Sequence, residues 1–128
     1  MGTGIKKSNR VLIWMPGFMW AAVILLFAVL PCEKIPALTI GCLDKILHFS
    51  EYFFLAVLMV WAFYYDRKDL SFGRVFLIIL ILGGGYGIVM ELLQYFVAGR
   101  YPSPGDGAAN LSGVLSGAMV GKVVIWRK

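Results

Sequence analysis

Nine polar or charged residues lie where long apolar runs begin or end, which is where side chains that do chemistry would meet a membrane surface. They are Asp44, Lys45, His48, Glu51, Glu91, Gln94, Arg100, Asp106 and Asn110. The basic members and a protonated histidine could pair with a phosphate, whereas the carboxylates and amides could hydrogen-bond a sugar or an amine. A set of this kind is typical of a site that binds a polar headgroup.

A histidine among carboxylates could instead act as a general acid–base set, or ligate a divalent cation. The chain contains no H-E-x-x-H, G-x-S-x-G, P-loop or C-x-x-C motif that would support a particular reaction. One histidine and two acidic residues also arise easily by chance, so the sequence predicts neither a metal site nor a cofactor. Ser50, Ser103 and Ser112 are candidate nucleophiles, but serines at helix starts and in turns usually cap the backbone.

The chain that carries these residues is too apolar for a water-soluble domain. Of its 128 residues, 60% are hydrophobic and 15% are charged, whereas average soluble domains carry about 25% charged residues. A soluble protein of this length could not bury so much apolar surface, because small domains keep much of their surface exposed. The apolar surface is therefore expected to face lipid.

Charged residues interrupt the chain at intervals and leave four long apolar runs. Each run reaches the roughly 20 residues with which a helix crosses the hydrocarbon core of a bilayer. A segment in lipid must satisfy its own backbone hydrogen bonds, which favours helices. The sequence predicts a single all-α domain of four transmembrane helices over residues 1–128, with helices at about 11–31, 46–65, 75–98 and 107–126.

Lysine and arginine are distributed unevenly between the two sides of the predicted membrane protein. Eight lie in the N-terminal segment, the second loop and the tail, namely Lys6, Lys7, Arg10, Arg67, Lys68, Arg74, Arg127 and Lys128. Three lie in the first and third loops, namely Lys34, Lys45 and Arg100. The positive-inside rule predicts that both termini are cytoplasmic in a multi-pass protein of the cytoplasmic (inner) membrane. The net charge of +5 is then accounted for by topology, and we expect no nucleic-acid partner.

The polar residues share helix faces with small residues on the last three predicted helices. The face on the second helix carries Asp44, His48, Glu51 and Leu55; that on the third carries Gly84, Gly87, Glu91, Gln94 and Ala98; that on the fourth carries Asp106, Asn110, Gly113, Gly117 and Gly121. Residues at these spacings lie on one side of a helix. Small residues four apart permit close helix contact in membranes, so we expect these faces, with their polar groups, to point into the bundle.

Glu91 is the most deeply placed of the polar residues. It lies nine residues before Arg100, so it would be buried by about 13 Å if the third helix continues that far. An unpartnered carboxylate at such a depth is costly, so Glu91 is expected to be protonated or partnered. In a purely structural interpretation, Arg100 could bridge Glu91 or Asp106, and Asn110 could bond across to the third helix. The residues that satisfy one another in this way would be His48, Glu51, Glu91, Gln94, Arg100, Asp106 and Asn110.

The ordered set of motifs resembles the VanZ-like family of membrane proteins. Residues 44–49, DKILHF, are similar to the family's D-K-x-x-H-F, and residues 91–94, ELLQ, are similar to its E-x-x-Q. Arg100, the S-P-G-D of residues 103–106 and the N-L-S-G of residues 110–113 follow in the family's order. The resemblance covers roughly residues 44–121. Gly107 departs from it, since a larger apolar residue more often follows the aspartate.

The resemblance implies a role in the cell envelope, because the family takes its name from a protein linked to teicoplanin resistance. We therefore expect membrane lipids as partners and an envelope lipid, glycolipid or glycopeptide as the ligand of the polar pocket. A membrane-embedded enzyme acting on a lipid-linked substrate is one alternative. A small accessory subunit that packs against a larger membrane protein is another. Cys32 and Cys42 flank the first loop and could form a disulfide or remain two thiols.

Overall fold

The structure, a computed structural model, describes residues 7–31 and 41–127. That part of the chain contains four α-helices and no strand. The helices are α1 (Lys7–Val29), α2 (Gly41–Asp66), α3 (Phe72–Gln94) and α4 (Pro104–Val124). The predicted all-helical fold with four helices is confirmed, although the helix bounds differ from those expected.

Two of the differences change where site residues lie in the helices. α2 begins at Gly41 rather than near 46, because charged residues limit a membrane span but not a helix, and Asp44 is favourable in a first turn. α3 ends at Gln94, and the chain then turns through Gly99, which has a φ of 77°. Glu91 therefore lies three residues from the end of α3, which places it about 4.5 Å from that end rather than 13 Å.

Three of the helices, α1 to α3, are long and apolar enough to cross a membrane. Their most apolar segments have mean hydropathies of 2.2, 1.7 and 2.2. α4 does not belong to this group, because its sequence combines several glycines with Asp106, Asn110 and Lys122. Length and composition therefore support α1 to α3 as membrane spans, but they do not support the fourth predicted span.

The α4 helix packs most closely on α2, and glycines make that approach possible. A Cβ atom built on Gly113 would overlap the carbonyl oxygen of Phe49, and one built on Gly117 would overlap that of Phe53. A Cβ atom on Gly121 would lie 2.8 Å from Cβ of Val60. Because the residue numbers of these pairs increase together along the two helices, α2 and α4 run parallel in close backbone contact.

The α1 helix is the peripheral member of the bundle and keeps much of its apolar surface exposed, with Phe18 at 71%. Two hydrogen bonds near its middle connect it to α2 and α3. The indole Nε1 of Trp20 donates to the carbonyl of Glu51 at 2.8 Å, and the hydroxyl of Tyr86 donates to the carbonyl of Ala21 at 2.6 Å. Interhelical hydrogen bonds of this kind hold helices together in lipid, where apolar contact alone provides little selectivity.

Candidate functional site

The nine polar residues predicted as a site all lie at one end of the bundle. This end, called the site end below, is where α1 and α3 finish and α2 and α4 begin. Among the described residues, every buried polar or charged residue is found here, namely His48, Gln94, Arg100, Asp106 and Asn110. Since burying polar groups is costly unless they are hydrogen-bonded, their partners show how the site is built.

Asn110 forms the centre of the buried polar residues. Its Oδ1 lies 3.0 Å from Nδ1 of His48, and its Nδ2 donates to Oε1 of Glu91 at 3.1 Å. With the amide in this orientation, His48 must carry a proton on Nδ1 to donate to it. On the other side of the ring, Nε2 of His48 lies 3.6 Å from Oδ1 of Asp44, one helical turn earlier. A row of polar contacts thus runs from α2 through α4 to α3.

Asp106 holds the start of α4 and the side chain of Lys45. Ser103 and Asp106 form a reciprocal capping box, in which each side chain accepts from the backbone N–H of the other residue. The serine hydroxyl also donates to Oδ2 of Asp106 at 2.8 Å. The ammonium of Lys45 donates to Oδ1 at 3.1 Å. Asp106 is only 4% exposed, and both of its carboxylate oxygens accept hydrogen bonds.

Arg100 binds the end of α1 rather than an acidic residue. Its Nη2 donates to the carbonyl of Phe27, and its Nε donates to the carbonyl of Leu30 at 3.4 Å. Carbonyls in the last turn of a helix have no partner within the helix, so the guanidinium satisfies two groups that lipid could not. The expectation that Arg100 bridges Glu91 or Asp106 is wrong for this reason. The expected bond from Asn110 to the third helix is present.

A cavity of about 160 Å³ opens between α1 and α2 at the site end, and we call it the α1–α2 cavity. Its polar lining is His48, Ser50, Glu51, Gln94 and Arg100, and its apolar lining is Trp20, Phe27, Ala28, Leu47 and Phe54. The cavity therefore presents charged and amide groups beside an aromatic wall.

A second cavity, of about 390 Å³, lies between α3 and α4 and is called the α3–α4 cavity. Its polar lining is Glu91 and Asn110, among glycines and leucines. The predicted site residues are thus divided between two cavities, with the His48–Asn110–Glu91 contacts forming the wall between them. Asp44, Lys45 and Asp106 line neither cavity and form a charged group of their own.

The aromatic half of the α1–α2 cavity was not predicted from the sequence. Trp20 and Phe54 stack edge to face with ring centroids 5.9 Å apart, and both line it. The position of Trp20 is a usable signal, because tryptophan in membrane helices concentrates at the interfaces and Trp20 lies in the middle of the first apolar run. Tyr52 was not predicted as a site residue either. In the structure it is 1% exposed, and its hydroxyl has no hydrogen-bond partner among the described residues.

A family model described as VanZ/LLP1 matches residues 5–126. The chain belongs to this family. The VanZ/LLP1 match includes all nine predicted site residues and leaves out only the first four and the last two residues of the chain. No curated protein and no solved structure matched the chain.

The predicted pairing of the two cysteines involves a part of the chain that the structure does not describe. Cys42 is exposed at the start of α2, whereas Cys32 lies outside the described residues. The disulfide across the first loop therefore stays a prediction.

Proposed function

We propose that this VanZ/LLP1-family protein binds the polar headgroup of an envelope lipid or glycolipid in the α1–α2 cavity, at the outer face of the cytoplasmic membrane. The observation that carries the proposal is the composition of that cavity. Glu51, Gln94 and Arg100 supply polar contacts within reach of an aromatic wall that includes Trp20 and Phe54. A ligand that satisfies both halves must be amphipathic.

The size of the cavity favours a headgroup over a larger ligand. Pockets for drug-sized molecules have volumes of about 300–1,000 Å³, and the α1–α2 cavity has about 160 Å³. It would hold a phosphate, an amine or part of a sugar, while the acyl chains remain along the exposed apolar surface of α1. A whole glycopeptide would not fit, so a role in teicoplanin tolerance would act through the lipid.

The proposal requires that α4 also crosses the membrane, and its packing supports this. α4 has 21 residues, which corresponds to a length of about 31 Å. It follows α2 from His48, opposite Asn110, to Tyr64, whose ring lies 5.6 Å from that of Trp126. If α2 crosses the bilayer, α4 crosses beside it, and its low hydropathy reflects glycines that face α2 rather than lipid.

We infer the orientation of the bundle from the exposed basic residues at the end opposite the site. These are Arg10, Arg67, Lys68, Arg74 and Arg127. Such residues favour the cytoplasmic side, where anionic lipids attract them. Both termini would then be cytoplasmic, and the site end would face the cell exterior or the periplasm.

Lipid retention by purified protein tests the proposal. We would extract wild type and variants from native membranes and quantify the co-purifying lipids by mass spectrometry. Leu47→Trp fills the mouth of the α1–α2 cavity and should lower retention of one lipid class several-fold, whereas Leu77→Trp, on an exposed face of α3, should not. Glu51→Gln should also lower retention, with Asp69→Asn in the opposite loop as its control. The same lipid profile for all four variants would exclude headgroup binding in this cavity.

A further inference from the structure

Asp44, His48 and Asp106 bring three potential metal-ligand atoms together at the site end. One atom from each side chain lies within 4.8 Å of the other two. Asp44 and His48 are four residues apart on α2, and Asp106 comes from the first turn of α4. We propose that these three residues bind a divalent first-row metal ion, with Zn²⁺ and Mn²⁺ as the ions that suit them. The proposal goes beyond headgroup binding because it requires no lipid.

The distance between the ligand atoms of His48 and Asp44 is close to that of two ligands that share one ion. Nε2 of His48 lies 3.6 Å from Oδ1 of Asp44, which is longer than a hydrogen bond. Two ligand atoms each about 2.1 Å from a tetrahedral Zn²⁺ are about 3.4 Å apart. The ligand atom of Asp106 lies within 4.8 Å of the other two, so a displacement of at most about 1.4 Å would bring it to such a distance.

The surroundings of His48 fix the nitrogen that would bind the metal. His48 is 5% exposed, and the described residues offer its Nε2 no hydrogen bond. Its Nδ1 donates to the amide oxygen of Asn110, which in turn donates to Glu91. Histidines that ligate metals commonly donate their other ring N–H to a carbonyl or carboxylate, which holds the metal-binding lone pair in place.

Charge at the site end also favours a cation. Asp44, Glu91 and Asp106 contribute three carboxylates, and Oε2 of Glu91 is buried without a hydrogen-bond partner among the described residues. The ion-pair partner of Asp106 is the ammonium of Lys45, whose side chain is 48% exposed and attached to a flexible stem. An arriving metal ion could displace this ammonium into solvent.

The ligand types decide between classes of metal. An imidazole nitrogen with two carboxylates suits Zn²⁺ and Mn²⁺ better than Ca²⁺, which prefers six to eight oxygens, or Mg²⁺, which prefers oxygens and water. Three protein ligands leave at least one coordination position for a water molecule or another oxygen ligand. The site would therefore be of the open type rather than a closed structural site.

Metal titration of purified protein tests the inference. Protein purified without a polyhistidine tag would be treated with a chelator, dialysed and titrated with Zn²⁺ or Mn²⁺ by calorimetry in detergent. Wild type should bind one equivalent. Asp44→Asn and His48→Gln, which preserve side-chain size, should each weaken binding at least tenfold, while Asp69→Asn in the opposite loop should have no effect.

Lys45→Met distinguishes a metal site from a salt bridge. Removing the competing ammonium should tighten metal binding several-fold, although a structural salt bridge would be lost. If a ligand variant fails to fold, the comparison of Lys45→Met with wild type still decides the question. Absence of stoichiometric binding by wild type, equal affinities for wild type and His48→Gln, or weaker binding by Lys45→Met would each overturn the inference.

Discussion

The side-chain oxygen of Asn110 lies 3.0 Å from Nδ1 of His48 and joins the beginnings of α4 and α2 inside the bundle. Both residues are at most 5% exposed, so neither can replace the contact with water. The other end of the same amide is bonded to Glu91 on α3. Three helices are therefore held in register by one asparagine, and its removal is the most direct test of the polar interior.

Asn110→Ala should destabilise the protein. The substitution leaves Nδ1 of His48 and Oε1 of Glu91 buried without this partner, and each such group costs about 1–3 kcal/mol. We expect a clear fall in the thermal unfolding midpoint measured by circular dichroism in detergent. Ser112→Ala, at an exposed position two residues later on α4, is the control and should leave the midpoint unchanged. Equal midpoints for both variants would show that the amide does not hold the helices.

Glycines on α4 give a second prediction with an internal control. Gly117→Ala places a methyl group against the carbonyl oxygen of Phe53, so α2 and α4 must separate, at a cost of about 1–3 kcal/mol. Gly107→Ala, in the same helix, meets no atom within 4 Å and should gain up to about 1 kcal/mol from helix propensity. The two substitutions should shift the unfolding midpoint in opposite directions. A fall of the same size for both would contradict the close packing of α2 on α4.

The face of α4 that carries its polar residues and glycines could be predicted from the sequence. Asp106, Asn110, Gly113, Gly117 and Gly121 share one side of a helix by spacing alone, and the structure buries all five. The period of a helix fixes such a face without any knowledge of its partner. The polar residues of α2 and α3 were expected at one end of the bundle for a different reason, namely that successive apolar runs cross the membrane in opposite directions.

The end of α3 and the partners of Arg100 could not be read from the sequence. The apolar run continues through Tyr95 and Phe96, which are 73% and 82% exposed after the helix has ended, so apolar composition does not mark where a helix stops at a lipid surface. The partners of Arg100 are backbone carbonyls at the end of α1, that of Phe27 in its last turn and that of Leu30 just after it. Backbone groups have no sequence signature, and their availability depends on where α1 docks.

Cysteine labelling tests the orientation of the bundle. In a background with Cys32 and Cys42 replaced by serine, Tyr101→Cys should react with a membrane-impermeant maleimide on intact cells, and Ser71→Cys should react only after the cells are permeabilised. Tyr101 is 89% exposed and is preferable to Ser103, whose hydroxyl takes part in the capping box. The reverse labelling pattern would place the site end in the cytoplasm.

Arg100→Lys should loosen α1 from the rest of the bundle. Lysine keeps the charge but lacks the planar fork that donates to the carbonyls of Phe27 and Leu30 from different nitrogens. Hydrogen bonds to charged groups contribute about 1.5–3 kcal/mol, so part of that amount should be lost. We expect faster hydrogen exchange in the last turn of α1, measured by mass spectrometry. Arg74→Lys, at an exposed position in α3, should leave exchange in that turn unaltered.

Glu91→Gln should leave the stability of the metal-free protein unchanged or raise it. Glutamine can keep the oxygen that accepts from Asn110, and the group it alters, Oε2, has no hydrogen-bond partner within residues 7–31 and 41–127. The substitution also removes a partly buried negative charge, whose desolvation is unfavourable. Glu91 and Asn110 share one hydrogen bond, but the two substitutions should affect stability differently. Asn110→Ala removes that hydrogen bond, whereas Glu91→Gln can keep it. Thermal unfolding in detergent with a chelator present measures both, and an equal fall for the two variants would show that the charge of Glu91 is itself required for the fold.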